Sequence, residues 1–124
     1  MNSYKEIINF WFEETDQSNW FIKNEKFDKL LIDKYSDLHS RAAKCELFEW
    51  RKSPEGSLAE IIILDQFSRN MFRDTPLAFS YDSMALTLSQ EAISKGFDKD
   101  LTQIQRGFFY MPFMHSESLE IHKL

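Results

Sequence analysis

The sequence predicts an all-α protein made of antiparallel helical hairpins. With three glycines and three prolines in 124 residues, turns are too few for a many-stranded sheet. Several segments carry apolar residues at three- and four-residue spacing, which is the period of an amphipathic helix. The connections between these segments are short, so successive helices run antiparallel. Such hairpins can close as a compact helix bundle or stack as a short solenoid, and periodicity alone does not choose between them.

The composition restricts the class of protein. Hydrophobic residues make up 43% of the chain, enough for a single all-α domain over residues 1–124 that folds without a metal or disulfide. The formal net charge is -5 and no basic run occurs, so we expect no nucleic-acid or anionic-membrane partner. There is no secretory signal and no apolar segment near the ~20 residues of a membrane span. Together with the lone Cys45 these features predict a cytoplasmic protein, and no motif indicates a cofactor.

Two helices are predicted in the first third of the chain. Ser3 and Glu6 have the spacing of a capping box at the start of the first helix. Asn24 can cap the second, which we expect to run from about Glu25 to Lys44. His39 lies beside the apolar stripe of that second helix and is predicted to be a packed or solvated side chain. The two stripes consist of Tyr4, Ile7, Ile8, Trp11 and Phe12, and of Phe27, Leu30, Leu31, Tyr35, Leu38, Ala42 and Cys45.

The rest of the chain is predicted to be arranged around Leu58 to Arg73, LAEIIILDQFSRNMFR. Ser57 and Glu60 again have capping-box spacing, so this central helix should begin at Leu58. It should end before Pro76, because the residue preceding a proline avoids the helical region. Its first residues are apolar on more than one face, which indicates a helix sandwiched between neighbours.

Two further helices follow a short turn that should carry Phe79 into the core. Ser80 or Asp82 can cap the fourth helix, and Lys95-Gly96-Phe97 is typical of the C-terminal end of a helix. Asp98 or Asp100 should open the last helix, in which Pro112 predicts a kink or an end. Its predicted apolar stripe consists of Leu101, Ile104, Phe108 and Phe109.

A polar cluster occupies the second half of the central helix. Asp65, Arg69 and Arg73 are spaced four apart and share one face, and Gln66 and Asn70 lie on the adjoining strip. An exposed Asp–Arg pair at this spacing is common and worth little. Polar groups that directly continue a buried segment, however, must find partners, either in the protein or in a ligand.

A second polar cluster, His115, Ser116 and Glu117, follows Pro112. A histidine two residues from a glutamate can form an acid/base pair or supply two metal ligands. A metal site needs three or four donors, and no metal-binding spacing such as HExxH is present, so we predict no metal. Ser116 has no nucleophile-elbow glycines around it and is not predicted to be a catalytic serine.

Four motifs together resemble the bacterial family called domain of unknown function 924: FWF at 10–12, WF at 20–21, LDQFSRNMFRDTPLAF at 64–79 and FYMPFMHSE at 109–117. The resemblance implies a tetratricopeptide-like right-handed superhelix of stacked hairpins and no settled activity. The polar signature of the family falls on Asp65, Gln66, Arg69, Asn70, Asp82, His115, Ser116 and Glu117.

The chain departs from the family pattern in two places. Ser68 stands where the family commonly has proline, so the helix is expected to run straighter here. The family typically continues with further helices beyond its HSE motif, whereas this sequence stops at Leu124. We therefore expect a domain truncated at the C-terminus, with exposed apolar surface through which it can self-associate.

Three hypotheses about function remain open. In the first, Asp65, Gln66, Arg69, Asn70, Arg73 and His115 bind a small polar or anionic ligand or a peptide, with the two arginines on a carboxylate or phosphate. In the second, the protein is a small-molecule hydrolase or isomerase with His115 and Glu117 as catalytic acid and base, which requires His115 to lie near Asp65 or Arg69. In the third, the cluster is a purely structural hydrogen-bond network.

Overall fold

The computed structural model describes residues 3–122, and all regular secondary structure within that range is helical, as predicted. The predicted domain ends, Met1 and Leu124, lie outside the described residues. The arrangement of the helices as a tetratricopeptide-like superhelix stays a prediction. The α-helices are α1 Tyr4–Asn9, α2 Glu25–Ala43, α3 Pro54–Ile62, α4 Ser68–Met71, α5 Asp82–Ser94, α6 Gln103–His115 and α7 Leu119–His122. Short 3-10 turns lie at Gln17–Trp20, Phe48–Lys52, Pro76–Phe79 and Phe97–Asp100.

The central helix is a continuous element made of α3, a π-helical turn over Ile63–Phe67, and α4. It contacts α1, α2, α5 and α6, and every residue from 56 to 68 is buried. The prediction of a helix sandwiched between its neighbours is therefore confirmed. A helix that presents apolar residues on several faces can bury them only when other helices surround it.

The predicted start of the central helix at Leu58 is wrong. Ser53 is the N-cap, and its hydroxyl oxygen accepts a hydrogen bond from the Gly56 backbone N–H at 3.0 Å. Pro54 occupies the first helical turn, where its missing N–H costs nothing and its fixed φ suits the helix. Glu60 does not reach back to a cap. It is fully buried, and the Arg51 guanidinium donates two hydrogen bonds to it, each of 2.8 Å.

Two π-helical turns face each other in the core. The first, Phe10–Glu14, continues α1, and the second lies in the central helix. The ring of Phe67 contacts those of Phe10 and Trp11, at centroid distances of 6.2 and 5.6 Å. The central helix continues past Ser68 as expected. The π-helical turn over Ile63–Phe67, directly before Ser68, makes the helix less regular than predicted. Asp65 lies within this turn, and such turns are frequent at functional sites.

The structure confirms one of the predicted helix caps and corrects two others. Asn24 caps α2 as expected, its side chain accepting from the N–H groups of the first turn. Tyr81, and neither Ser80 nor Asp82, is the N-cap of α5. The last long helix begins after Thr102, which forms a reciprocal capping box with Gln105.

The start of α6 differs from its prediction, because Asp98 and Asp100 belong to the 3-10 turn before that helix and do not open it. Of the two expectations for Pro112, an end of the helix is wrong, since α6 continues to His115, and a kink stays a prediction.

Four residues predicted to be buried are exposed: Cys45, which lies beyond the end of α2, and three others. Leu30, Phe79 and Ile104 have exposed fractions of 45%, 62% and 53%. Leu30 and Ile104 lie at the margins of their stripes, where the neighbouring helix no longer covers them. The turn that contains Phe79 follows the end of the central helix and lies at the surface, so its ring borders a cleft described below.

We expect Gly56→Ala to destabilise the protein, because a Cβ at this position would lie 2.1 Å from the backbone oxygen of Trp50. A clash with backbone cannot be relieved by a rotamer change, and the expected loss is about 2 kcal/mol in the free energy of unfolding measured with urea. The control is Gly107→Ala in α6, where a Cβ would meet nothing within 4 Å. That variant should be neutral or up to ~1 kcal/mol more stable. Equal effects of the two substitutions would contradict the structure.

Because His39 is buried, we expect the protein to lose stability in mild acid. It is buried, its Nε2 lies 2.7 Å from the Ser68 hydroxyl, and burial lowers its pKa. A histidine with a depressed pKa in the folded state contributes stability above its unfolded pKa of about 6.5, and this contribution is lost as pH falls through the folded pKa. Wild-type protein should lose more unfolding free energy between pH 7.5 and pH 5 than His39→Gln. His122→Gln, at an exposed histidine, should behave as wild type.

Candidate functional site

The buried carboxylate of Asp65 is the centre of the polar cluster. Its side chain is 1% exposed. It accepts hydrogen bonds from Gln66 Nε2 at 2.8 Å, from Arg69 Nη1 at 3.1 Å and from His115 Nδ1 at 2.8 Å. Two of these donors come from the central helix itself, and the third comes from the end of α6. The spatial condition for the enzyme hypothesis, His115 close to Asp65, is met.

Arg69 joins this cluster to α5. Its guanidinium donates two hydrogen bonds to Asp82, each of 3.0 Å, and Nη1 also donates to the backbone oxygen of Asp65 at 2.9 Å. It lies over the Phe79 ring, 5.5 Å from the centroid. Arg69 is thus held between two carboxylates of the protein. A carboxylate or phosphate ligand on Arg69, as predicted from the sequence, would compete with these two carboxylates, and that role stays a prediction.

Asn70 and Arg73 belong to a second network, which joins the end of the central helix to α2. The Asn70 amide donates to Asp28 at 2.9 Å, and Arg73 donates to the same carboxylate at 2.7 and 3.1 Å. The hydrogen bonds from Arg73 to Asp28 raise the pKa of Arg73. The five polar residues of the central helix therefore divide between two hydrogen-bond networks, although Arg69 and Arg73 also line one common groove of about 720 Å³.

Asp28 was missed in the sequence. It follows Phe27 directly and precedes Leu31 by three residues, so it lies at the edge of the buried face of α2. An acidic residue at the margin of an apolar stripe was the available signal, because a buried carboxylate requires a cationic or hydrogen-bonding partner.

A cleft of about 600 Å³ opens between the central helix, the α5 start and the α6 end. Of the predicted site residues, Arg69, His115 and Glu117 line it, and Asp65 lies directly behind Arg69 and His115. Gln66, Asn70 and Arg73 do not line it. The lining is Arg69, Phe79, Asp82, Ser83, Leu86, Pro112, His115, Ser116 and Glu117.

The geometry of His115 determines what it can present to the cleft. Because the Asp65 carboxylate can only accept, Nδ1 must carry the shared proton. Nε2 then has no hydrogen-bond partner among residues 3–122 and, in the neutral ring, is an acceptor. Glu117 is exposed and lies at the rim of the cleft, so the carboxylate that contacts His115 is Asp65 and not Glu117.

A second groove, of about 440 Å³, lies between α5, α6 and α7. It is lined by apolar and aromatic side chains and by His122, with no carboxylate or arginine. It offers surface for the predicted self-association, which stays a prediction. Within residues 3–122 no three potential metal ligands lie together, and no helix is long and apolar enough to cross a membrane.

The Asp28 network predicts a stability effect that has no connection with ligands. Arg73→Met removes two of the three hydrogen bonds to a nearly buried carboxylate, and we expect a loss of about 2–3 kcal/mol in unfolding free energy. Adding Asp28→Asn should restore part of this loss, since it removes the unpaired charge. The control, Arg41→Met, breaks a looser surface pair with Glu46 of 3.6 Å and should cost at most ~1 kcal/mol. An undiminished loss in the double variant would contradict the network.

Comparison with known proteins gives the family of this fold. A protein of unknown function from Agrobacterium tumefaciens, ATU0120, has a similar solved structure, with a TM-score of 0.92 and 37% sequence identity over 97% of this chain and 68% of that chain. No curated protein matches the sequence. Residues 7–124 match the family described as bacterial protein of unknown function, DUF924. The chain therefore belongs to the DUF924 family.

Proposed function

We propose that the protein binds a small polar molecule in the cleft beside Arg69 and His115. The observation that carries this proposal is the hydrogen bond between His115 Nδ1 and Asp65, 50 residues apart in the chain. It holds the ring in one orientation and leaves Nε2 available at the cleft wall. A concave site with a few convergent polar groups and an apolar wall is the usual form of a small-molecule site.

The composition of the wall supports a ligand with both polar and apolar parts. The hydroxyl groups of Ser83 and Ser116 can donate or accept, and Phe79, Leu86 and Pro112 provide apolar contact. The volume of about 600 Å³ lies in the range of small-molecule sites.

A second candidate function is acid–base catalysis on the same bound molecule. A buried carboxylate that orients a histidine, fixes its tautomer and leaves Nε2 free is the arrangement used by general bases. In this function His115 transfers the proton, Asp65 positions it, and Glu117 at the rim is the remaining titratable group. The single favourable observation is again the 2.8 Å contact between Nδ1 and Asp65.

Two substitutions of His115 distinguish the effect of its hydrogen bond to Asp65 from the effect of Nε2 at the cleft. His115→Asn keeps an N–H donor near the Nδ1 position and removes Nε2. His115→Gln places its amide nearer the Nε2 position and loses the bond to Asp65. We expect His115→Asn to retain stability and to weaken ligand binding about 3- to 10-fold, the loss of one hydrogen bond. His115→Gln should lose about 1–3 kcal/mol of stability and keep more of the binding.

The measurement is a thermal-shift and NMR titration of a panel of amines, amino acids, sugars, carboxylates and phosphates, with Glu25→Gln at an exposed position of α2 as the control. If no member of the panel perturbs the signals of the cleft residues, the binding proposal is wrong. Mass spectrometry of the same incubations decides the second function: conversion of a bound compound by wild type, abolished in His115→Asn, supports catalysis, and binding without conversion refutes it for that compound.

A further inference from the structure

We propose that the molecule bound in the cleft is a cation, a primary or secondary ammonium group attached to an apolar body. This inference rests on the proposed function, since it names the ligand class of the same site. Three independent features of the wall support it: the balance of charge, the hydrogen-bonding character of His115, and the apolar surface.

The charge of the wall is negative although it contains an arginine. The Arg69 guanidinium is paired with Asp82 through two hydrogen bonds of 3.0 Å and with Asp65 through one of 3.1 Å. One positive group therefore meets two carboxylates, and this triad has a net negative charge. No lysine lines the cleft.

Glu117 adds a further carboxylate at the rim. It is exposed, and within residues 3–122 it has no hydrogen bond or ion pair. A concave wall with an excess of one sign of charge concentrates ligands of the opposite sign. An anion would instead be repelled by Glu117 and by the excess charge around Arg69.

His115 independently requires a donor. With its Nδ1 proton committed to Asp65, neutral His115 presents an unpaired acceptor, Nε2. An ammonium group carries several N–H donors and can donate to this acceptor or to Glu117, whereas a carboxylate or phosphate oxygen can donate to neither.

The apolar part of the ligand has a surface to contact. Phe79 is 62% exposed and borders the cleft, with Leu86 and Pro112 beyond it. The exposed part of this ring can pack against the carbon body of the ligand.

The test uses two probes of nearly equal shape and opposite charge, 2-phenylethylamine and 3-phenylpropanoate, titrated at pH 7.5 into the protein of residues 1–124 and followed by NMR and calorimetry. The amine should shift the signals of Ser83, Leu86 and Ser116 and bind at least about tenfold more tightly than the carboxylate, a difference that decreases with salt. Glu117→Gln should weaken amine binding about three- to fivefold, as for one partly exposed charge pair. Glu25→Gln, far along the chain on α2, is the matched control and should have no effect.

Asp82→Asn is a sharper variant because it leaves Arg69 with one carboxylate fewer. It should reduce the preference for the amine over the carboxylate about three- to fivefold or more. Equal or tighter binding of 3-phenylpropanoate to wild type would overturn the cation inference and leave the binding proposal intact. Failure of both probes, or amine binding that is unaffected by Glu117→Gln and His115→Asn, would also overturn the inference. The proposed function fails separately, only if no compound of the wider panel perturbs the cleft.

Discussion

The packing of the helices depends on supplying hydrogen-bond donors to the carboxylates that are buried at the central helix. Asp65 is a carboxylate in the middle of the central helix, and an unpaired charge at that depth would cost several kcal/mol. Three side chains therefore donate to it, and one of them, His115, comes from the end of α6. Through Arg69 the same cluster reaches Asp82 at the start of α5. One buried charge thus orients three helices relative to one another.

The pairing of a buried carboxylate with an arginine occurs three times around the central helix. Asp28, Glu60 and Asp65 are the buried acids of residues 3–122. Each accepts hydrogen bonds from one arginine: Arg73, Arg51 and Arg69, respectively. The first two pairs link the central helix to α2 and to the Phe48–Lys52 turn, and the third is linked to α6 by His115. Since breaking one partner leaves a buried charge, such pairs favour one packing of the helices over others, which we offer as a hypothesis for their role here.

All three arginines are partly exposed, with side-chain fractions of 32% for Arg51, 22% for Arg69 and 29% for Arg73, but only the Asp65–Arg69 pair is completed by a histidine. The Asp65–Arg69 pair lies behind a cleft, where the histidine that completes it still has an unused ring nitrogen. This difference separates a candidate site from two networks whose groups are satisfied within the protein. The pairing also explains why the cleft wall carries a net negative charge. Arg69 is paired with two carboxylates of the protein, Asp65 and Asp82, and its single positive charge does not offset both.

The sequence by itself determined the local structure and the identity of the central helix. Periodicity and capping predicted an all-α chain, Asn24 as the cap of α2 and a helix enclosed by its neighbours, since these depend on residues a few positions apart. The same rules failed at Ser57 and Asp98, where Ser53 and Thr102 offered better caps nearby. Local rules rank possible caps but do not decide between neighbouring ones.

Only the tertiary structure decided how the polar residues are partnered. Asp28 lies 42 and 45 positions from Asn70 and Arg73, and Asp65 lies 50 from His115. Such pairings follow from the packing of whole helices, which helical periodicity does not describe. The sequence therefore placed Arg69, Asn70 and Arg73 in one cluster, whereas packing gave Arg69 to the cleft and the other two to Asp28. Burial determines whether an arginine holds a ligand or a carboxylate of its own chain, and burial is a property of the assembled fold.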